Sequence, residues 1–424
     1  MFTNTYLPHV GGVAKSVDTF AKAYRSRGQE TLVVCPTYEG QPEREEHVFR
    51  VPAIRNFRGS RYSVALPLAV DLRERVAEFR PDIIHSHHPF LLGDTALRLA
   101  AEELIPIVFT HHTRYEQYAT DSEIGVKWMR HFLRRVAAEY ANSCDGVIAP
   151  SESIADMIRE NGVSTPIRVV PTGVDTDTYA QGDGSRARAT CGVPEEAFAV
   201  GHVGRLAPEK NLHFLSQAAA LFLKHSPQSY FLIAGSGRSE PEMKRLFEEE
   251  DVSNRVRFAG VLKGRDLIDA YHAMDVFVFA SKTETQGMVL AEAAAAGVPI
   301  VAVDAPGARE VVRDGKNGRL LKNQEVDAFA SAIAWVEGLS KKQRRQMKQK
   351  ARDTAEEFKT DACVEKALDF YDERFREYQA DALGDLNGWS ALLKSLECEY
   401  DIWANRLTAL AETIAPEEMQ AEEK

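Results

Sequence analysis

Residues 281–299, SKTETQGMVLAEAAAAGVP, leave this chain few ways to fold. The apolar run at 276–280 just before them reads as a buried strand. A polar turn follows and ends at Gly287. An alanine-rich stretch of strong helix propensity comes next, closed by Gly297 and Pro299 as stop signals. The unit is therefore strand, loop, helix. A helix that begins near Gly287 offers unpaired backbone N–H groups and the positive end of its dipole to a phosphate. Glu284 on the loop and Glu292 about one turn into the helix flank that point. The turn between them separates their roles. One carboxylate can reach a group beyond the phosphates, and the other can reach back towards a ribose, whose hydroxyls donate well to a carboxylate.

A chain of 424 residues, 44% hydrophobic and 27% charged, is long enough for two globular domains, each with its own core. No apolar run has the ~18 to 20 residues that cross a bilayer, and no charged segment precedes an apolar core at the N-terminus, so no signal peptide is expected. Cys35, Cys144, Cys191, Cys363 and Cys398 are scattered without metal or redox spacing, as reduced cytoplasmic thiols would be. A net charge of −11 argues against nucleic acid as a partner. That charge is concentrated at the end: from Asp381 onward ten acids face only Lys394, Arg406 and Lys424. A local basic surface elsewhere is compatible with the total.

Residues 1–3 look like the end of a strand. The loop NTYLPHVGG carries Gly11 and Gly12, and residues 13–27 have helical periodicity. Strand, glycine loop and helix make a Rossmann-like opening, in which the glycines let backbone approach a phosphate or simply make a tight turn. Strands are expected at 31–36, 47–52, 82–86, 105–110, 146–150 and 167–171. Two of them end in histidines: His85, His87 and His88 after one, His111 and His112 after the next. Strand ends of this kind form the ligand-binding edge of an open α/β sheet. A metal is the competing reading, disfavoured because the spacing lacks the carboxylate partners of a zinc site. Residues 127–137, KWMRHFLRRVA, put Trp128, Met129, Phe132, Leu133 and Val136 on one half of a helical wheel. Lys127, Arg130, His131, Arg134 and Arg135 fall on the other. Such a helix either docks on an anionic membrane or covers a core with its arginines in water.

Residues 181–188 read as a flexible stretch, and the crossover between domains is placed near 172–195. The second half repeats the alternation. The strand at 198–203 ends in Gly204-Arg205-Leu206 and Pro208-Glu209-Lys210-Asn211, two cations placed to neutralise a diphosphate. The strand at 230–234 ends in Gly235-Ser236-Gly237. The strand at 300–303 closes the core sheet, and helices are expected near 325–338, 340–358 and 361–378. Beyond 381 the chain is acidic and partly helical, with Trp389, Leu392, Leu393, Leu396, Tyr400 and Trp403 available to pair with another chain or to pack on the first domain.

Glu284, seven residues and Glu292, with Gly287, Ala293 and Gly297-Val298-Pro299, resemble the EX7E motif of family 4 retaining glycosyltransferases of the GT-B fold; GRLxxEKN at 204–211 resembles the same family. HSHHPFLLG and FTHHTRYEQY further resemble the bacterial members that place a hexose on diacylglycerol. The resemblance spans about residues 3–375. It implies an α/β chain with two Rossmann-like domains facing across a cleft: 1–175 for the acceptor and membrane, 195–358 for the nucleotide-sugar, a helix at 359–380 returning to the first domain, and an added tail at 381–424. It implies His112 as an active-site histidine beside the donor sugar, with Glu116 nearby. It further implies Arg205 and Lys210 on the diphosphate and Glu284 on sugar hydroxyls. Glu292 would hold the ribose, and Gly11, Gly12, Gly204, Gly235, Gly287, Met288 and Val289 would line the donor. It turns the helix of Trp128, Arg130, Phe132, Arg134 and Arg135 into a membrane-docking element. The implied reaction moves a hexose, glucose from UDP-glucose, onto a lipid acceptor at the inner face of the cell membrane, with no metal and no cofactor. A soluble or phosphoinositol-type acceptor with GDP-mannose, or a protein that binds nucleotide-sugar without transfer, are the alternatives. Oligomeric state is left open.

Overall fold

The structure, a computed structural model, describes residues 1–9, 11–54, 63–65, 70–115, 123–382 and 388–414. It divides into two compact units, Met1–Thr172 with Cys363–Lys424, and Gly173–Ala362.

In the first unit the strands Ile84–Ser86, Ile107–Thr110, Gly146–Ala149 and Ile167–Val169 lie side by side in that order, all parallel. Val33–Pro36 pairs in parallel with Val48–Val51. Phe2 joins the two groups, bridging Val34 on one side and Ser86 on the other. The expected strand end at residues 1–3 therefore sits at the middle of a doubly wound sheet. The central strands are buried throughout, as strands covered by helices on both faces are, and their polar residues His85, Ser86 and Thr110 lie at the carboxyl ends. Helix Thr360–Ala382 sends Cys363, Val364, Ala367 and Phe370 into a cluster with Phe20, Tyr24, Val108, Ile148 and Val170.

The second unit holds six parallel strands in the order Val256–Gly260, Tyr230–Ala234, Ala199–Val203, Val276–Phe279, Ile300–Val303, Gly318–Leu321. In chain order this is 3-2-1-4-5-6, so the direction of winding reverses between Ala199–Val203 and Val276–Phe279. Ligands of open α/β sheets bind in the crevice at that reversal, beyond the carboxyl ends of the strands.

Two expectations are corrected. Residues 181–188 are not a flexible stretch, since most of them belong to helix Gly184–Cys191. Asp183 caps it by accepting from Arg186 N at 3.0 Å, and its own N–H donates to Asp269 at 2.7 Å. Buried Arg188 then donates to the carbonyls of Glu195, Ala197 and Ala273 and pairs with Asp275 at 2.9 Å. These partners lie up to 87 residues away in sequence, which is why a local reading found only glycines. The sheet also does not close at residue 303. Gly318–Leu321 extends it, and Gly318 is required there because a Cβ would stand 1.8 Å from the Ile300 carbonyl oxygen.

Candidate active site

Two loops meet at the reversal point of the second unit. Pro208–Lys210 forms a single 3-10 turn after the Ala199–Val203 strand. The 280–287 segment follows Val276–Phe279. Asn211, at φ 57, donates from Nδ2 to the Ala280 carbonyl at 3.1 Å. Thr283 donates to the Glu209 carbonyl at 3.2 Å. Lys210 Nζ is ion-paired and hydrogen-bonded to Glu284, both side chains being about one-fifth exposed. Arg205 is exposed and paired with Glu209 at 2.6 Å. The structure thus brings Arg205, Lys210 and Glu284 to one edge, with each cation already facing a carboxylate.

Gly287 caps helix Met288–Ala295 in the left-handed region at φ 71. Its back is set against Gly307, where a Cβ would lie 2.7 Å from the Glu284 Cβ and 3.0 Å from Gly287 N. A side chain at residue 307 would therefore push out the loop that carries Glu284. On the neighbouring strand, Gly235 brings its backbone against Gly204; a Cβ there would meet the Gly204 carbonyl oxygen at 1.8 Å. Gly204, Gly235 and Gly287 therefore stand at the ends of three adjacent strands. Met288 and Val289, half-buried, open the helix.

Glu292 lies on that helix and is 4% exposed. Its Oε2 accepts from the Tyr271 hydroxyl at 2.8 Å. Tyr179 also bonds this carboxylate. Burial, and then the carboxylate charge, hold both phenols far above their ordinary pKa, so they remain donors. Neither tyrosine was singled out in the sequence. They lie 113 and 21 positions from Glu292, on segments with no motif, and no local signal marks them.

His202 was also missed. It sits on the Ala199–Val203 strand, 1% exposed, and its Nδ1 faces the Val278 carbonyl at 3.1 Å. Its Nε2 has no hydrogen-bond partner and would stand 3.5 Å from a Cβ at Gly204. Burial lowers its pKa to about 4, so the ring is neutral.

His112, Gly11 and Gly12 belong to the first unit. Gly11 is the extended cap of helix Gly12–Ser26; a Cβ at Gly12 would meet nothing within 4 Å among the described residues. His112 Nε2 and His87 Nδ1 are 2.8 Å apart, so one of them carries the shared proton. His87 Nε2, in a residue 1% exposed, has no partner among the described residues. A ring that leaves Nε2 as a lone pair loses less than one that strands an N–H there. The favoured tautomer has His87 donating from Nδ1 to His112 Nε2. His85 bonds Thr110 at 2.6 Å and Tyr371 at 2.5 Å. Burial depresses the pKa of His88 and His112 to about 3 and of His111 to about 4, and places His85 and His87 well below 6.5. Among the described residues no three His, Cys, Asp or Glu side chains are grouped to hold a metal ion. Glu116 lies outside the described residues.

Helix Glu123–Asn142 carries the basic segment. Arg130 and Arg134 are exposed and Met129 is 37% exposed, while Phe132 is half-buried. Arg135 is half-buried and paired with Glu139 at 2.8 Å. The side chain of Trp128 lies outside the described residues.

Residues 10–178 match Glycosyltransferase Family 4, and residues 185–354 match Glycosyl transferases group 1. A GDP-mannose-dependent alpha-mannosyltransferase of Mycobacterium tuberculosis is 30% identical, over 76% of this chain and 83% of its own. The chain belongs to glycosyltransferase family 4. An alpha-monoglucosyldiacylglycerol synthase of Streptococcus pneumoniae is 27% identical over 76% of this chain and 74% of its own. Among solved structures, Anabaena HepE in complex with UDP superposes with a TM-score of 0.70 at 24% identity, covering 88% of this chain and 98% of that one. The fold is the two-domain α/β GT-B fold, and the protein is a glycosyltransferase.

Proposed function

We propose that this glycosyltransferase moves glucose from UDP-glucose to diacylglycerol with retention at the anomeric carbon. The observation that carries the donor half is the pairing of Lys210 with Glu284 beside the open helix end at Gly287. An ammonium, a helix N-terminus and a carboxylate meet there where a diphosphate joins a sugar. Lys210 and Arg205 neutralise the departing diphosphate, Glu284 accepts from sugar hydroxyls, and Glu292 accepts from the ribose. Gly11 and Gly12 allow backbone near the phosphates, and His112, a neutral imidazole, bonds a sugar hydroxyl. The bond from the anomeric carbon to the diphosphate oxygen breaks, and one to the acceptor oxygen forms on the same face. The acceptor proton passes to the departing phosphate oxygen, so no metal and no protein nucleophile is required.

The acceptor half rests on the likeness to the monoglucosyldiacylglycerol synthase and on the outward Arg130, Arg134 and Met129. Cations and an apolar side chain on one helix suit an anionic bilayer surface. No helix among the described residues is long and apolar enough to cross a membrane. In this reading the lipid is met from the membrane surface, at the cytoplasmic face. The likeness to the mannosyltransferase favours a second reading, GDP-mannose with another acceptor. Radiolabelled UDP-glucose and GDP-mannose are offered in turn to the protein with vesicles of anionic lipid, with and without diacylglycerol. Label from UDP-glucose entering the lipid phase only with diacylglycerol is expected. Label from GDP-mannose alone would replace the donor, and no transfer from either would reject the reading.

A further inference from the structure

The helix Gly388–Ile414 has two apolar faces, and the first unit uses one of them. Ile402 is 7% exposed and Ala409 1% exposed, and half-buried Cys398 packs in the same cluster. Glu399 pairs with Arg98 and Arg406 pairs with Asp94, both partners lying on helix Leu92–Glu103. Asn405 donates to Ser143 at 3.5 Å. This face is fixed.

Among the described residues the other face is uncovered. Leu393, Leu396, Tyr400, Trp403 and Leu407 are between 57% and 73% exposed. Their spacing is 3, 4, 3 and 4 residues, the alternation of a heptad seam, and the sequence continues it to Trp389 and Leu410. With Leu392 beside them, 49% exposed, they present on the order of 700 Å² of apolar surface, above the ~300 to 600 Å² of the largest patch on an ordinary monomer.

We propose that this seam pairs with the same seam of a second copy of the chain, forming a helix–helix dimer interface. The area decides for it: two such faces together present ~1,400 Å², within the ~1,200 to 2,000 Å² of stable protein–protein interfaces. The 3-4 repeat is self-complementary, because knobs of one seam enter the holes of an identical one. Of the charges bordering the seam, Glu399 and Arg406 are already neutralised within the unit, while Glu397 is exposed at its edge. An anionic bilayer is a poorer occupant. From Asp381 the chain carries ten acids against three bases, a charge that such an extended anionic surface repels and that a second copy meets only along one helix, screened beyond ~8 Å at physiological salt. The closing residues APEEMQAEEK are too polar to cover the seam themselves.

Sedimentation velocity on the full chain, from about 1 to about 50 µM, reads the association directly. The expected species is twice the 47.2 kDa chain mass. Tyr400→Glu with Trp403→Glu places charges in the seam and leaves the Ile402 face intact. That variant should sediment as a 47.2 kDa monomer with unchanged circular dichroism, its dimer dissociation constant raised at least ~100-fold. Hydrogen exchange of the wild type at the two concentrations needs no variant. Residues 393–407 should be protected only at the higher one. A wild-type monomer throughout, or a dimer that the double substitution leaves intact, overturns the proposal. So does a monomer that floats with anionic vesicles through this face.

Discussion

Glu292 is the residue whose substitution separates structure from function most sharply. Its carboxylate is the acceptor for two phenols, buried Tyr271 and half-buried Tyr179, and is the proposed ribose ligand. Glu292→Ala strands both hydroxyls, at ~1 to 3 kcal/mol each, or about 4 kcal/mol together. In a unit of about 190 residues each kcal/mol is worth ~2 to 4 °C, so the melting transition of that unit should fall by about 8 to 16 °C. Glu292→Gln keeps an acceptor oxygen and loses the charge. Its melting transition should fall by less than half as much. Exchanging a charged for a neutral hydrogen bond to ribose removes about 1.4 kcal/mol, so its dissociation constant for UDP should rise ~10-fold. Scanning calorimetry measures the first effect and isothermal titration with UDP the second. Titration with 2′,3′-dideoxy-UDP completes the test, because the wild type should discriminate against it and the glutamine variant should not. Wild-type UDP affinity in the glutamine variant refutes the ribose assignment. An unshifted transition in the alanine variant refutes the phenol anchoring.

Other outcomes follow from the same geometry. Lys210→Ala removes the cation facing Glu284 and should lower the transfer rate ~100-fold or more at saturating donor, read in the radiolabel assay. His112→Ala should cut turnover and leave UDP affinity within about twofold, since the proposed role gives it the sugar and not the nucleotide. His88, His111 and His112 have folded pKa values of about 3 to 4 against 6.5 unfolded. Below pH 6.5 the unfolded chain therefore binds more protons, and stability is present above that pH and lost as it falls. Each contributes up to about 2 kcal/mol between pH 6.5 and 5, which a series of thermal melts will show as a falling first-unit transition. Replacing Arg130 and Arg134 with Ser should weaken binding to anionic vesicles ~10- to 30-fold, while Arg135→Ser, whose partner is Glu139, should change it little. Unchanged vesicle binding in the Arg130 and Arg134 variant would remove this helix from the docking surface.

What could be read from the sequence was local. The strand, turn and helix at 276–299 are set by neighbours: an apolar run, Gly287 where φ is positive, and Gly297 as a stop. GRLxxEKN was legible as a motif, and the strand order of the doubly wound sheet, which the structure supplies, is what brings its loop to Glu284. What failed was long-range. Arg188 makes helix Gly184–Cys191 part of the second unit through carbonyls and Asp275, none of which its neighbours announce. Tyr179 and Tyr271 reach Glu292 from segments with no motif. His202 reads as one residue of an apolar strand until its unpartnered Nε2 is seen beside Gly204. In the helical extension the same list of large apolar residues could mean packing or pairing. Only the burial of Ile402 and Ala409, with the opposite seam bare, tells the two faces apart.

The central claim is that the nucleotide lies at the reversal point of the second unit, between the Gly204–Lys210 loop and the Gly287 helix. A crystal structure of the protein with UDP tests it most directly. Diphosphate oxygens within hydrogen-bond reach of Arg205, Lys210 and the backbone N–H groups after Gly287, with a ribose hydroxyl on Glu292, are the predicted result. UDP bound elsewhere, or a ribose that leaves Glu292 to its two tyrosines, would contradict the account.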